Sequence, residues 1–177
     1  MAVTLDEIEE FIKVEDLKYQ YDKERKVILL VSGDKESVFA HYLRAKDDGK
    51  IFTWQMQILD DNKNNVSIKN HQYVSEVLSH VLYLNYQTKF GTWEYDPSDG
   101  DIRLAVELPL EDATMTQAQF HRIVGYMMGN GSDAADDIMH ILKTGKAPKD
   151  SDDDIIEKLE AMLAMLKSQS SSSEDSI

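Results

Sequence analysis

Apolar and polar residues alternate along the first third of the chain in a way that predicts one helix followed by four strands. Thr4 and Glu7 have the spacing of a capping box, which begins a short amphipathic helix over 4–13. Four short apolar or alternating runs follow, and charged or glycine-containing turns such as Asp48-Gly49 separate them. The predicted strands cover 17–21, 27–31, 38–45 and 51–59.

The middle of the chain predicts a helix and then a hairpin. Residues 70–85 place apolar side chains at helical spacing on a wide face, which a sheet must cover. Strands predicted over 86–95 and 102–108 flank a turn at 96–100, and the second of them alternates strictly between apolar and polar residues.

Two further helices are predicted before residue 145. Thr116 and Gln119 form a second capping box, and the glycine-rich segment 129–132 is expected to break the helix that they begin. Another helix follows over 133–143 and ends at Gly145. The whole order, α-β-β-β-β-α-β-β-α, predicts an α+β domain over 1–145 with an antiparallel sheet covered by helices on one face.

Past residue 145 the pattern predicts a linker at 146–150, an amphipathic C-terminal helix over 151–167 and a disordered serine-rich tail over 168–177. The helix carries an apolar stripe, which has to dock on the domain, on a second subunit or on a client. The stripe consists of Ile155, Leu159, Met162, Leu163 and Leu166.

Composition narrows the range of functions. The 177 residues include 19 Lys and Arg against 33 Asp and Glu, a net charge of −14, which argues against a nucleic-acid partner because phosphates would be repelled. The chain has no cysteine, which excludes disulfides and thiol chemistry and favours a cytoplasmic location. The acidic N-terminus and the lack of an apolar run of about 20 residues predict neither secretion nor membrane insertion.

Short motifs between residues 84 and 116 carry a resemblance to a known family. They are Leu84-Asn85-Tyr86, DPSDGDIRL at 96–104, VELPLED at 106–112 and the helix start at Thr116. In these motifs the chain resembles the YbjN-like bacterial proteins, whose fold is that of the type III secretion chaperones. The order of elements from residue 4 to about 128 is similar to that fold as well.

The resemblance implies binding rather than catalysis. Proteins of that fold are commonly homodimers that hold partner polypeptides in extended form along apolar patches, and the resemblance carries no catalytic residues onto this chain. We therefore expect a non-enzymatic chaperone-like or adaptor protein that binds another polypeptide as a homodimer.

The residues themselves point to no catalytic, cofactor or metal site. The five histidines are spread over separate elements without metal-ligand spacing. The acidic segment 96–101 is similar to a calcium loop, but Pro97 and the missing glutamate at the twelfth place favour a hairpin turn. No Gly-x-Ser-x-Gly elbow activates a serine.

Aromatic residues on predicted strands are the candidate contacts for a partner, together with the C-terminal stripe. Phe90 and Trp93 would point to opposite faces of one strand, so one aromatic set faces an interface or the strand is bulged at Gly91. The aromatic candidates are Trp54, Phe90, Trp93 and Tyr95. The alternative function is a ligand-sensing regulator with an apolar cavity between sheet and helices, lined by Trp54 and Trp93.

Overall fold

A six-stranded antiparallel sheet with helices on one face makes up the first 146 residues. The structure is a computed structural model that describes residues 2–33, 37–88 and 90–148. The strands are β1 (Tyr19–Asp22), β2 (Val27–Gly33), β3 (Val38–Lys46), β4 (Ile51–Leu59), β5 (Thr92–Tyr95) and β6 (Ile102–Pro109). The helices are α1 (Leu5–Val14), α2 (Val74–Gln87), α3 (Gln117–Gly125) and α4 (Gly131–Thr144). The strands lie in the order β1-β2-β3-β4-β6-β5.

This architecture confirms the predicted α+β class and the predicted order of elements. Both capping boxes are present: Thr4 pairs with Glu7 at the start of α1, and Thr116 pairs with Gln119 at the start of α3. Gly145 ends α4 in the left-handed conformation with φ of 73°. Local sequence signals therefore agree with the tertiary structure at these helix ends.

Most of the C-terminal predictions fall outside the described residues. The chain divides after Lys146, and the sheet with its four helices forms the first unit. The predicted linker at 146–150 is described only as far as residue 148, and the predicted helix and tail lie outside the described residues. The assignment of 1–145 as the domain stays a prediction.

The core lies between the helices and one face of the sheet. Cross-strand neighbours place Trp54 of β4 beside Leu43 of β3 and Val106 of β6 on that face. Phe120 of α3 stacks on the Trp54 ring with 5.6 Å between ring centroids, and Phe11 of α1 stacks on Phe120 at 5.5 Å. Aromatic packing thus joins α1, α3 and the central strands into one core.

The predicted strand over 86–95 is wrong in its first half. Helix α2 continues through Gln87, Gly91 turns the chain at φ of +78°, and β5 begins only at Thr92. The apolar and aromatic residues at 84–86 suit either structure, and packing of Leu84 against the core favours the helix. The choice between an interface and a strand bulge therefore does not arise, because Phe90 and Trp93 do not share a strand.

The predicted helix break at 129–132 is also wrong. A π-helical segment, Tyr126–Asn130, joins α3 to α4 without interruption, and Gly131 N–H donates to the Tyr126 carbonyl oxygen. A Cβ atom on Gly131 would lie 2.8 Å from Leu104 Cδ2 and 3.4 Å from Met56 Cε. The glycine is needed because α4 begins directly against the sheet, and it leaves the helix intact.

Candidate functional site

The outer face of α2 exposes three large apolar side chains next to one another. Leu82 is 71% exposed, Tyr83 48% and Tyr86 86%. Leu82 and Tyr86 are four residues apart and Tyr83 and Tyr86 are three apart, so all three lie on one side of the helix. We call these three residues the α2 patch. Clustered exposed apolar side chains of this kind mark protein-interaction surfaces.

The inner face of α2 holds the patch in place. Val77 and Val81 are buried against the core, on the side of the helix that faces the sheet. Asn85 also fixes the end of the helix to the sheet. Its Oδ1 accepts from Trp93 N–H at 2.8 Å, and its Nδ2 donates to the Trp93 carbonyl oxygen at 3.0 Å.

The Asn85 side chain supplies hydrogen-bond partners to the backbone of the edge strand. Trp93 lies on β5, the edge strand, and both of its backbone polar groups point away from β6. The amide of Asn85 pairs with both, as a neighbouring strand would. Because α2 is thereby held against the edge strand, Tyr86 on the next position projects into solvent.

A close approach between His80 of α2 and Asp137 of α4 lies beside the patch. His80 Nε2 lies 3.6 Å from Asp137 Oδ2, and the His80 ring lies against that of Tyr83 with 6.3 Å between centroids. Burial raises the pKa of the Asp137 carboxyl, and the nearby His80 acts in the opposite direction. The polar contact therefore links the α2 patch to the helix packed behind it.

The structure distributes the predicted contact residues between core and surface. Trp54 and Trp93 are buried, with 0% and 4% of their surfaces exposed. Phe90 and Tyr95 are half-buried and pack against the core. They do not form one surface with Trp54. The five residues of the predicted C-terminal stripe, Ile155, Leu159, Met162, Leu163 and Leu166, lie outside the described residues.

The α2 patch was not predicted from the sequence, because Tyr86 was assigned to a strand and the rest of α2 to the core. A usable signal was the width of the apolar face of the 70–85 helix. Val77, Val81 and Leu82 cannot all face one sheet, since an apolar stripe facing a core spans only part of the helix circumference.

The family model for YbjN matches residues 4–139. The chain belongs to the YbjN family. The family is described as "Putative bacterial sensory transduction regulator". Among solved structures, a chain from the "Structure of the HopA1-SchA Chaperone-Effector Complex" is similar, with 12% identity and a TM-score of 0.45. The match covers 71% of this chain and 85% of that chain. No curated protein matches.

The motifs that carry the YbjN resemblance have structural roles in this family member. The Asp96 and Asp99 carboxylates accept backbone N–H groups of Ser98 and Asp101 at 2.8 and 3.0 Å, which closes the β5–β6 hairpin. Asn85 attaches α2 to the edge of the same hairpin. The predicted hairpin turn at 96–101 is confirmed.

A buried histidine of this YbjN protein has a structural role. His41 Nδ1 accepts from Trp54 Nε1–H at 3.1 Å, so its proton is on Nε2 and is donated to Ser32 Oγ at 2.7 Å. Burial lowers the pKa of His41 from its usual 6.5 to about 4. A histidine that donates to a serine cannot take the serine proton, so this pair is not arranged as nucleophile and base.

Two of the cavities that border the helices of the YbjN domain include residues predicted as partner contacts. The larger, which we call the α3 groove, has a volume of about 360 Å³ and is lined by Phe90, Leu108, Ala118, Gln119, Arg122 and Ile123. The smaller, of about 290 Å³, lies between α2 and α4 and includes Trp93 and Asp137. Neither of these two cavities is lined by both tryptophans.

Two kinds of feature were not found in the part of the YbjN chain that the structure describes. Across residues 2–33, 37–88 and 90–148, no three His, Asp or Glu side chains come together as metal ligands do. None of the helices within the same ranges combines the length and hydrophobicity required to cross a bilayer.

Proposed function

We propose that this YbjN-family chain is a non-enzymatic, cytoplasmic chaperone-like or adaptor protein that binds another polypeptide and acts as a homodimer. The observation that carries the proposal is the α2 patch. Leu82 and Tyr86 expose most of their side chains, although the other large apolar residues of α2 are at least half-buried. Keeping such a patch in water is costly, and a partner that covers it gains hydrophobic free energy.

The net charge of this chain indicates which kind of polypeptide it would bind. The net charge of −14 favours a partner segment that combines apolar anchors with flanking lysine or arginine residues. Two tyrosines suit such a contact because each offers a large apolar ring and a hydroxyl that can hydrogen-bond at the rim. The expected partner is therefore a basic, amphipathic segment.

The non-enzymatic part of the proposal has its own support. His41 is buried and neutral, and its ring nitrogens are both engaged with Trp54 and Ser32. The resemblance to YbjN-like proteins likewise brings no catalytic residues onto this chain.

The experiment measures binding of a labelled helical peptide with leucines on one face and lysines on the other to the full chain. The test variant is Leu82→Ser combined with Tyr86→Ser, and we expect it to weaken binding about tenfold or more because two exposed anchors are lost. The matched control is Val31→Ser, since Val31 is an equally exposed apolar residue on the opposite sheet face, at 69%. Binding should also weaken as salt is added.

The homodimer is tested separately by light scattering of the full chain at several concentrations. A mass of twice the monomer at micromolar concentration supports it, and a monomer at all concentrations contradicts it. Peptide binding that is equal in the patch variant and wild type contradicts the assignment of the α2 patch.

A second candidate function is the ligand-sensing regulator. The observation that favours it is the α3 groove, because Leu108 of the sheet and Ile123 of α3 line the same cavity. Its volume of about 360 Å³ falls within the range of small-molecule sites. Binding of a small ligand that changes the dimer mass or the peptide affinity would support this candidate.

A further inference from the structure

The α3 groove combines an apolar floor with a small set of polar groups on its rim. Phe90, Leu108 and Ile123 supply the apolar part, and Gln119 and Arg122 supply the polar part. Gln119 and Arg122 are three residues apart on α3, so they lie on the same side of the helix. Mainly apolar walls with a few placed polar groups are typical of small-molecule sites.

Arg122 is unusual among the arginines of this acidic chain. Within the part of the chain that the structure describes, Arg25 contacts Asp22, Arg103 contacts Glu94, and Arg44 contacts Gln55. Arg122 has no comparable side-chain partner among those residues. A guanidinium that is not paired with a carboxylate, in a chain with 33 Asp and Glu, is open to a carboxylate from outside.

Gln119 can add only donors to the groove. Its Oε1 already accepts from Thr116 N–H at 2.8 Å and from Thr116 Oγ1 at 3.1 Å, as part of the α3 capping box. The side-chain nitrogen keeps its two N–H groups for another acceptor. The six lining residues include no Asp or Glu. Every charged or amide group at the rim therefore favours an anion.

We propose that the α3 groove binds a small apolar monocarboxylate, with the carboxylate on Arg122 and Gln119 and the hydrocarbon on Phe90, Leu108 and Ile123. A medium-chain fatty acid has this chemistry. The proposal deepens the ligand-sensing candidate and is independent of the α2 patch. It concerns a free small molecule, because the groove is of a size that holds one such ligand.

The experiment is isothermal titration calorimetry of the full chain with octanoate. Octanamide and octylamine have the same chain length and serve as neutral and cationic comparisons. We expect one octanoate per chain, with octanamide weaker by about tenfold or more, because hydrogen bonds to a charged group contribute more than neutral ones. Octylamine should not bind.

Two variants locate the site. Arg122→Met keeps most of the aliphatic side chain and removes the charge, so octanoate affinity should fall about tenfold or more. The matched control, Arg25→Met, should leave it unchanged. Ala118→Phe adds a ring at an exposed position of α3 that lines the groove, and should abolish binding while the circular dichroism spectrum stays native.

Three results would overturn the proposal. They are absence of octanoate binding below its micellar range, equal affinity for octanoate and octanamide, and affinity unaffected by both groove variants. A peptide that binds the same groove through its C-terminal carboxylate more tightly than octanoate would replace the small molecule as ligand. Arg122→Met should bind the leucine–lysine peptide normally, so failure here is distinguishable from failure of the α2 patch.

Discussion

Helix α2 and the α3–α4 run pack on the same face of the sheet but use their surfaces differently. The α3–α4 run places Phe120, Ile123 and Ile138 in the core, and Gly131 lets it begin directly against β4 and β6. Helix α2 buries Val77 and Val81 but exposes Leu82 and Tyr86. The α3–α4 run therefore stabilises the fold, whereas the outer half of α2 leaves large apolar side chains exposed to solvent.

The largest expected effect is a difference in the free energy of unfolding between a variant in α3 and a variant in α2. Phe120→Ala should lower the free energy of unfolding by about 3–5 kcal/mol, because the ring is fully buried against Phe11, Phe52 and Trp54. Leu82→Ala should change it by less than about 0.5 kcal/mol, since that side chain is mostly exposed. Urea unfolding of both variants measures these changes. Equal losses of unfolding free energy would contradict the assignment of different roles to α3 and α2.

The next effect is a dependence of the free energy of unfolding on pH. It arises from His41, which lies below the start of α4. His41 occupies the same cross-strand row as Met56 and Leu104, which Gly131 approaches. Its pKa of about 4 in the folded protein lies below its usual 6.5, so the unfolded chain takes up the proton first. The contribution of neutral His41 to the free energy of unfolding is therefore present above pH 6.5 and is lost as the pH falls towards 4. The total loss is about 3 kcal/mol.

The variant His41→Gln isolates that contribution, because glutamine can accept from Trp54 and donate to Ser32 but does not titrate. Between pH 6.5 and 4, urea unfolding should show a steeper loss of stability for wild type than for His41→Gln. Parallel curves over this window would show that His41 does not titrate as its burial implies.

A smaller effect tests why α4 begins so near the sheet. Gly131→Ala should cost about 1–3 kcal/mol, because the added methyl meets buried Leu104 and Met56. Gly129→Ala is the matched control: nothing lies within 4 Å of its Cβ position, and the change should be neutral or stabilise by about 0.5–1 kcal/mol. Thermal unfolding of both variants tests this prediction. Equal shifts of the two unfolding temperatures would argue against close packing at Gly131.

The smallest expected effect concerns the attachment of α2. Asn85→Ala removes both bonds to the backbone of Trp93 and should cost about 1–2 kcal/mol. The Trp93 amide should also exchange faster with solvent hydrogen. Gln87→Ala, at an exposed position on the same helix end, is the comparison. Unchanged exchange at Trp93 would mean that the Asn85 amide does not protect the edge strand.

Local sequence patterns predicted most of the fold and little of the candidate site. Strand β4 was predicted with the bounds that the structure has, because Phe52, Trp54 and Met56 alternate towards one covered face. The capping boxes at Thr4 and Thr116 were equally local signals, satisfied within one turn of helix. Such features depend on neighbours in the sequence and can be predicted from it.

The errors arose where distant contacts decide the structure. Gly131 looks like a helix breaker in isolation, but its role depends on Leu104 and Met56, which are remote in sequence. Tyr86 suits a strand by its own preference, but the attachment of Asn85 to Trp93 accompanies a helix that continues past it. The α2 patch was missed for the same reason, since exposure depends on what the rest of the chain leaves uncovered.

The π-helical segment between α3 and α4 has a geometric consequence for the whole helical run. Each residue of an α-helix turns the chain by about 100°, so an added or removed residue in Tyr126–Asn130 would rotate α4 by roughly that angle relative to α3. Ala134, Ala135 and Ile138 would then leave the positions in which they are buried. The number of residues in this π-helical segment therefore fixes the rotation of α4 about the helix axis, and with it which side of α4 is buried.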